Sequence, residues 1–295
     1  MRNVIALTKR NAYLFLRDKS TVFFSFLSSL ILIALYFLFI AKAFSSAMME
    51  YPESAFSESA SSFLIYLQMM AGVLILNSMS LSTGVFSIIA RDFENRRVDS
   101  FLLTPVHVRE MLVSYYAGGF LVSFILNLFT WIASIALIGA LTGYWIAAGT
   151  FMITLGILTA ASLISSSLML LITSAVKSSA AIGVISGVSG TFLGFLCGIY
   201  MPYSNLGEET EKIGSLLPFT HLTIWMKQTV LSDACSQLDI TGELKSILMK
   251  EWFSAENIGF FGMNAPLWLM LIVCGIFALV CLLIAGRLLK KRITG

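Results

Sequence analysis

The chain alternates long stretches without a charged residue and short stretches crowded with them. The uncharged runs occupy 20–41, 59–90, 111–176, 178–207 and 257–286. Each is as long as the roughly 20 residues a helix needs to cross a hydrocarbon core, or longer. The third weakens at 141–145 (LTGYW), where Gly143 and the aromatic residues Tyr144 and Trp145 predict a tight turn at headgroup level. It divides into two, so the pattern predicts six spans, at 20–41, 62–90, 108–140, 146–176, 180–201 and 266–286. Membrane barrels instead alternate apolar and polar residues in segments of about 10, and these runs are apolar on all sides. The expected fold is an all-α membrane protein, one transmembrane domain over 1–295.

Composition agrees: 58% of residues are hydrophobic and 12% are charged, against roughly 25% charged in soluble domains. The charges also divide by side. With six spans, the termini share a side with the connections at 91–110 and 177, which together hold 14 of the 19 Lys and Arg and 5 of the 16 acidic residues. The opposite side, 42–58 and 208–256, holds the other 5 Lys and 11 acidic residues. The positive-inside rule then places both termini in the cytoplasm and the chain, multi-pass, in the plasma membrane. The net charge of +3 is thus a topology signal and not one for nucleic acid. The first run leads straight to Lys42 without a small-residue cleavage pattern, so it is expected to stay as a span. Cys197, Cys274 and Cys281 fall in spans and Cys235 lies outside them, which leaves no external disulfide pair.

Catalytic chemistry finds little to work with. No G-x-x-x-x-G-K-[ST] stretch is present to cradle a nucleotide, and no G-x-S-x-G elbow. His107 and His221, the only two histidines, fall on opposite sides of the membrane without ligand-spaced neighbours, so no metal and no catalytic residue is expected. The spans carry Asp, Glu, Lys or Arg only at their ends, which leaves a proton-coupled carrier without a midplane group to titrate. Sodium coupling through hydroxyl and carbonyl oxygens stays open.

The spans do carry small and weakly polar residues. Gly183 and Gly187, then Gly190, Gly194 and Gly198, repeat at intervals of four along the fifth span. Such a stripe lets another helix approach, either within one subunit or across a dimer axis. Asn77, Ser80 and Thr83 in the second span and Asn127 and Thr130 in the third either line a cavity or bond back to backbone. In residues 1–19 apolar and basic positions segregate at helical spacing, as in a helix lying in the interface. In 91–105, Phe93, Arg97 and Phe101 recur at helical spacing until Pro105. Two readings fit that segment, a solvated loop and an amphipathic helix that docks on a soluble partner.

Residues 91–106 (RDFENRRVDSFLLTPV), followed by 110–120 (EMLVSYYAGGF), resemble the coupling-helix segment of type-2 ABC exporter permeases. Residues 7–33 are similar to that family's basic N-terminal helix and first span. The end of the fifth span at 197–206 (CGIYMPYSNL), with 215–221 (SLLPFTH), resembles the family's "G-x-x-x-P" and "LLP-x-x-H" segments. The resemblance runs in order along essentially the whole chain.

It implies a coupling helix at 91–105 that binds an ATPase through Arg91, Phe93, Glu94, Arg96, Arg97, Asp99, Phe101 and Leu102. It further implies two copies of a separate ATP-binding subunit carrying the ATP and Mg, since this chain binds no cofactor itself, and a second permease chain, identical or homologous. A re-entrant helical hairpin after the fifth span, within an outer region at 202–265, is expected to use Pro202, Pro218 and His221. Beyond the hairpin, Ile240, Leu244, Ile247, Leu248 and Trp252 form an apolar helical stripe. The function implied is ATP-driven export of amphipathic or hydrophobic small molecules such as drugs, antibiotic peptides or lipid-like compounds. Export of sodium or carbohydrate chains, and a secondary carrier without an ATPase, remain as alternatives.

Overall fold

A computed structural model describes residues 2–35, 57–104, 106–176, 178–199, 208–253, 255 and 267–294. Among the described residues the regular structure is helical and no strand occurs. In chain order the helices are α1 (Arg2–Arg17), α2 (Lys19–Leu35), α3 (Glu58–Glu94), α4 (Arg97–Leu102), α5 (Val108–Thr142), α6 (Ala148–Ala175), α7 (Ser179–Leu196), α8 (Glu208–Ser215), α9 (Pro218–Gln237), α10 (Gly242–Ile247) and α11 (Leu267–Thr294). Five of them, α3, α5, α6, α7 and α11, are long and apolar enough to cross a membrane. The predicted first span corresponds to α2, whose 17 described residues are apolar or hydroxylated after Lys19. Residues 36–41 of that span lie outside the described residues, as do Pro105, Lys177, Pro202 and the ends of the predicted outer segments.

Local chemistry sets the helix ends. Ser57 accepts the Ala60 N–H at 3.2 Å and starts α3, satisfying one of the donors a helix leaves open at its N-terminus. Gly143 stops α5 with φ 78°, a left-handed conformation open to glycine, and its N–H returns to the Gly139 carbonyl at 2.9 Å. The indole of Trp145 then folds back over Gly139, where a Cβ would stand 2.7 Å from the ring. The predicted turn at 141–145 is therefore built from two glycines and one aromatic. Gly198, with φ 61°, ends α7 in the same way, and the Ile199 N–H bonds back to the Gly194 carbonyl at 3.0 Å.

The centre of the bundle is α3. It packs against α2, α5, α6, α7 and α9, and nearly all of its apolar length is buried. The span also carries Gln68, Asn77, Ser78, Ser82 and Thr83, polar side chains that a helix surrounded by other helices can bury away from lipid. Helix α11, by contrast, packs mainly on α6 and leaves Ile276, Leu279 and Leu283 more than half exposed, the surface expected of a helix facing lipid.

One expected element differs from the structure. The segment 91–105 is not one helix: 91–94 form the last turn of α3, Arg96 adopts a left-handed φ of 52°, and only the six residues of α4 follow as helix. Periodicity does not register a single left-handed residue, so Phe93 and Phe101 look like one stripe when they belong to two helices. In the region expected to hold the re-entrant hairpin, α8 ends at Ser215 and α9 begins at Pro218. Pro218 occupies the first turn of α9, a position proline tolerates, and the helix continues for 20 residues to Gln237. Its buried length meets α3 and α6, while Asp233 and Gln237 bond the 145–147 turn at 2.7 and 2.9 Å. The outer stripe then packs on this core: Ile240 and Leu248 are buried, and Leu244 and Trp252 partly so.

Candidate coupling site at the charged end of the bundle

The charges that interrupt the sequence gather at one end of the helices. Asp92, in the last turn of α3, is 1% exposed. Arg10 of α1 closes on it with two hydrogen bonds, Nη1 to Oδ2 at 2.6 Å and Nη2 to Oδ1 at 2.8 Å. Tyr115 of α5 donates its hydroxyl to Oδ2 at 2.8 Å. A bidentate guanidinium and a phenol satisfy a carboxylate that burial alone would penalise by several kcal/mol. Arg97 of α4 stands 4.0 Å away, and Arg10 also lies over the Phe101 ring, 5.0 Å from its centroid. One carboxylate thus joins α1, α3 and α5 beneath α4.

Neighbouring charges tie in the other helices. Asp18 caps α2 by accepting the Thr21 N–H at 3.0 Å and pairs with Arg91 at 2.8 Å. Arg91 first, then the Thr21 hydroxyl and N–H, hold the Asp18 carboxyl down at about 2. Glu94 accepts the Ser179 N–H at 2.7 Å and the Ser179 hydroxyl at 2.8 Å, placing an anion at the positive N-terminus of α7. Arg292 near the end of α11 donates to the Thr173 and Val176 carbonyls at 3.1 and 3.0 Å, capping the negative end of α6. The same guanidinium stacks 3.8 Å above the centre of Phe93.

The residues expected to bind a partner therefore divide into two groups. Arg91, Phe93 and Phe101 are partly buried at the permease end and the exposed Glu94 is bonded to Ser179, while Arg96 and Arg97 are exposed. The side chains of Asp99 and Leu102 lie outside the described set. Leu103, absent from the expected set, is 90% exposed on the turn that follows α4, whose Val98 is 3% exposed and anchors it from below. The result is a short basic turn with an apolar tip, fixed to a rigid base.

A family model described as ABC-2 family transporter protein matches residues 41–287. The chain belongs to the ABC-2 family. No curated protein matches it. It is accordingly the membrane-embedded permease of an ABC-type transport system, a kind of subunit without an ATP site of its own.

Within the permease's spans, the weakly polar residues meet one another. Asn77 Nδ2 donates to Asn127 Oδ1 at 3.1 Å and to Thr130 Oγ1 at 3.3 Å, and Asn127 Nδ2 donates to the Leu74 carbonyl at 3.1 Å. Ser78 and Ser165 are 2.9 Å apart, and Ser82 and Ser166 3.4 Å. These pairs form a buried seam joining α3 to α5 and α6. Thr83 and Thr130 bond back to the Met79 and Leu126 carbonyls, and Ser80 lies half-buried beside the seam. The α7 glycines behave differently: a Cβ added at Gly183, Gly187 or Gly190 would meet nothing within 4 Å. Gly194 is buried, and Gly198 serves the helix end.

At the opposite end His221 lies 2.7 Å from the Ser215 carbonyl, joining α9 to α8. Lys227 of α9, which the sequence reading counted among charges of the outer side, is 1% exposed. Its ammonium donates to the Gly198 carbonyl at 2.8 Å and to the Phe253 carbonyl at 3.0 Å. A cation there meets the carbonyl end of α7, where donors and positive charge are both favoured. What could have hinted at it is its place in an otherwise uncharged stretch from 213 to 232.

Proposed function

We propose that this permease forms, with a second permease chain and two copies of a separate ATP-binding subunit, an ATP-driven exporter of amphipathic or hydrophobic small molecules. The observation that carries the reading is the exposed turn around Arg96, Arg97 and Leu103 on a base braced by Asp92. It has the form of a ball for a groove on a soluble ATPase, which would hold the ATP and Mg. In this reading α4 and its flanking turns serve as the coupling element, α8 and α9 as the re-entrant pair, and α2 with residues 36–41 as the first of six spans. The termini face the cytoplasm and the membrane is the plasma membrane, in keeping with the excess of Lys and Arg at the coupling end.

The stroke follows from the packing. ATP binding draws the two ATPases together and displaces the coupling turn. Because Asp92 is held by α1 and α5, and Glu94 by α7, the displacement reaches three helices at once. Cargo needs only to bind the inward and outward states with different affinity for ATP to drive it across. The open glycine stripe of α7 supports a second chain across the pathway, and a seam without fixed charge supports amphipathic cargo.

The test is purification of the tagged permease from its native membranes in mild detergent. The reading expects a co-purifying P-loop ATPase in equimolar amount and hydrolysis that rises with amphipathic cargo. A permease that transports in vesicles without any ATPase would overturn it in favour of a secondary carrier.

A further inference from the structure

Helix α1 packs against α5, and Thr8 donates its hydroxyl to the Ser114 carbonyl at 3.5 Å. Gly118 allows it: a Cβ there would stand 3.2 Å from Asn11 Cβ and 3.4 Å from the Thr8 carbonyl oxygen. Away from that contact the two helices leave a groove of about 520 Å³, within the range of roughly 300–1,000 Å³ typical of ligand pockets. One wall is Ile5, Lys9 and Leu16 of α1, and the other is Leu121 and Ile125 of α5. Ile5 is 69% exposed and Ile125 58%. Among the described residues of the lining, Lys9 is the charged one.

Among the described residues Lys9 forms no ion pair. The described carboxylates at this end of the bundle have other partners: Asp18 has Arg91, Asp92 has Arg10 and Tyr115, Glu94 has Ser179, and Glu110 accepts the His107 N–H at 3.1 Å. An apolar slot along a membrane-crossing helix with a single ammonium on an amphipathic helix has the chemistry of a lipid's two parts. We propose that this groove binds one anionic glycerophospholipid, its acyl chain between α1 and α5 and its phosphate against Lys9. The lipid then completes the packing of α1, the helix whose Arg10 holds Asp92. The site rests on the amphipathic placement of α1 and not on the direction or energy source of transport.

The full-length permease is reconstituted in vesicles of equimolar phosphatidylglycerol and phosphatidylcholine with identical acyl chains, extracted in mild detergent, and its retained lipid identified by native mass spectrometry. One lysine near a membrane surface is expected to give about fivefold enrichment of phosphatidylglycerol. Lys9→Gln should abolish the enrichment while a lipid is still retained. Leu121→Trp with Ile125→Trp should displace the lipid without unfolding the chain, since both side chains are exposed. Retention of both lipids in equal amount by the wild type, or enrichment unchanged by Lys9→Gln, would overturn the proposal. So would disulfide cross-linking of two chains through Ile125→Cys, which would assign the groove to a second copy.

Discussion

Arg10 and Asp92, 82 positions apart in sequence, meet through two hydrogen bonds of 2.6 and 2.8 Å. Asp92 is 1% exposed, so removing Arg10 leaves a buried carboxylate with only Tyr115 and a distant Arg97. Breaking a buried pair from one side costs about 3–5 kcal/mol. Arg10→Met is therefore expected to destabilise the permease by about 3 kcal/mol, since the partly exposed Arg10 places it at the lower end of that range. Replacing both partners, Arg10→Met with Asp92→Leu, should recover much of the loss. Thermal unfolding in detergent of the two single variants and the double variant checks the non-additivity.

The outer end depends on Lys227. Lys227→Met removes the donor shared by the Gly198 and Phe253 carbonyls, and each buried unsatisfied group costs roughly 1–3 kcal/mol. Hydrogen exchange should quicken in 242–253 while the charged end keeps its protection. Uniform protection at both ends would show that the lysine does not hold α10 to the bundle.

Asp18 gives a pH dependence with a definite sign. Its folded pKa, about 2, lies below the ordinary aspartate value of roughly 3.9. The carboxylate thus stabilises the fold above about pH 4, and the contribution is lost as pH falls toward 2. Stability between pH 5 and 8 should not change through this group. Asp18→Asn should lower stability across that plateau and flatten the acid limb below pH 4, as followed by tryptophan fluorescence.

Gly187 separates folding from assembly. Nothing lies within 4 Å of an added Cβ there, so Gly187→Leu should fold as well as the wild type or slightly better, leucine being the stronger helix former. If a second permease chain approaches along this stripe, the variant loses that partner in cross-linking and loses transport. Normal pairing and transport would place the partner on another face.

Much of the architecture was legible because the membrane imposes it: uncharged length gives a span, and Gly143 with Trp145 gives the turn between α5 and α6. Details that depend on one residue's conformation were not legible. Arg96 has the composition of a helix residue, yet its left-handed backbone splits the predicted coupling helix into the end of α3 and a short α4. The candidate site was visible as a charged cluster, but its internal pairing was not. Asp92 and Arg10 form a pair only because the middle of α1 lies against the last turn of α3. The polar residues of the second and third spans were expected either to line a cavity or to bond back to backbone. Their sequence positions could not tell whether Asn77 faced a cavity or Asn127.

The central claim is that the turn after α3 transmits the state of an ATPase to the bundle. The most direct measurement compares wild type with Leu103→Asp combined with Arg96→Glu, residues exposed on the turn and outside the braced network. Each is co-expressed with the co-purifying ATPase, and ATP hydrolysis and cargo transport are measured together in vesicles. The account predicts that the variant folds and inserts normally, loses most of the bound ATPase, and falls at least tenfold in transport. Transport and ATPase binding equal to wild type would contradict it.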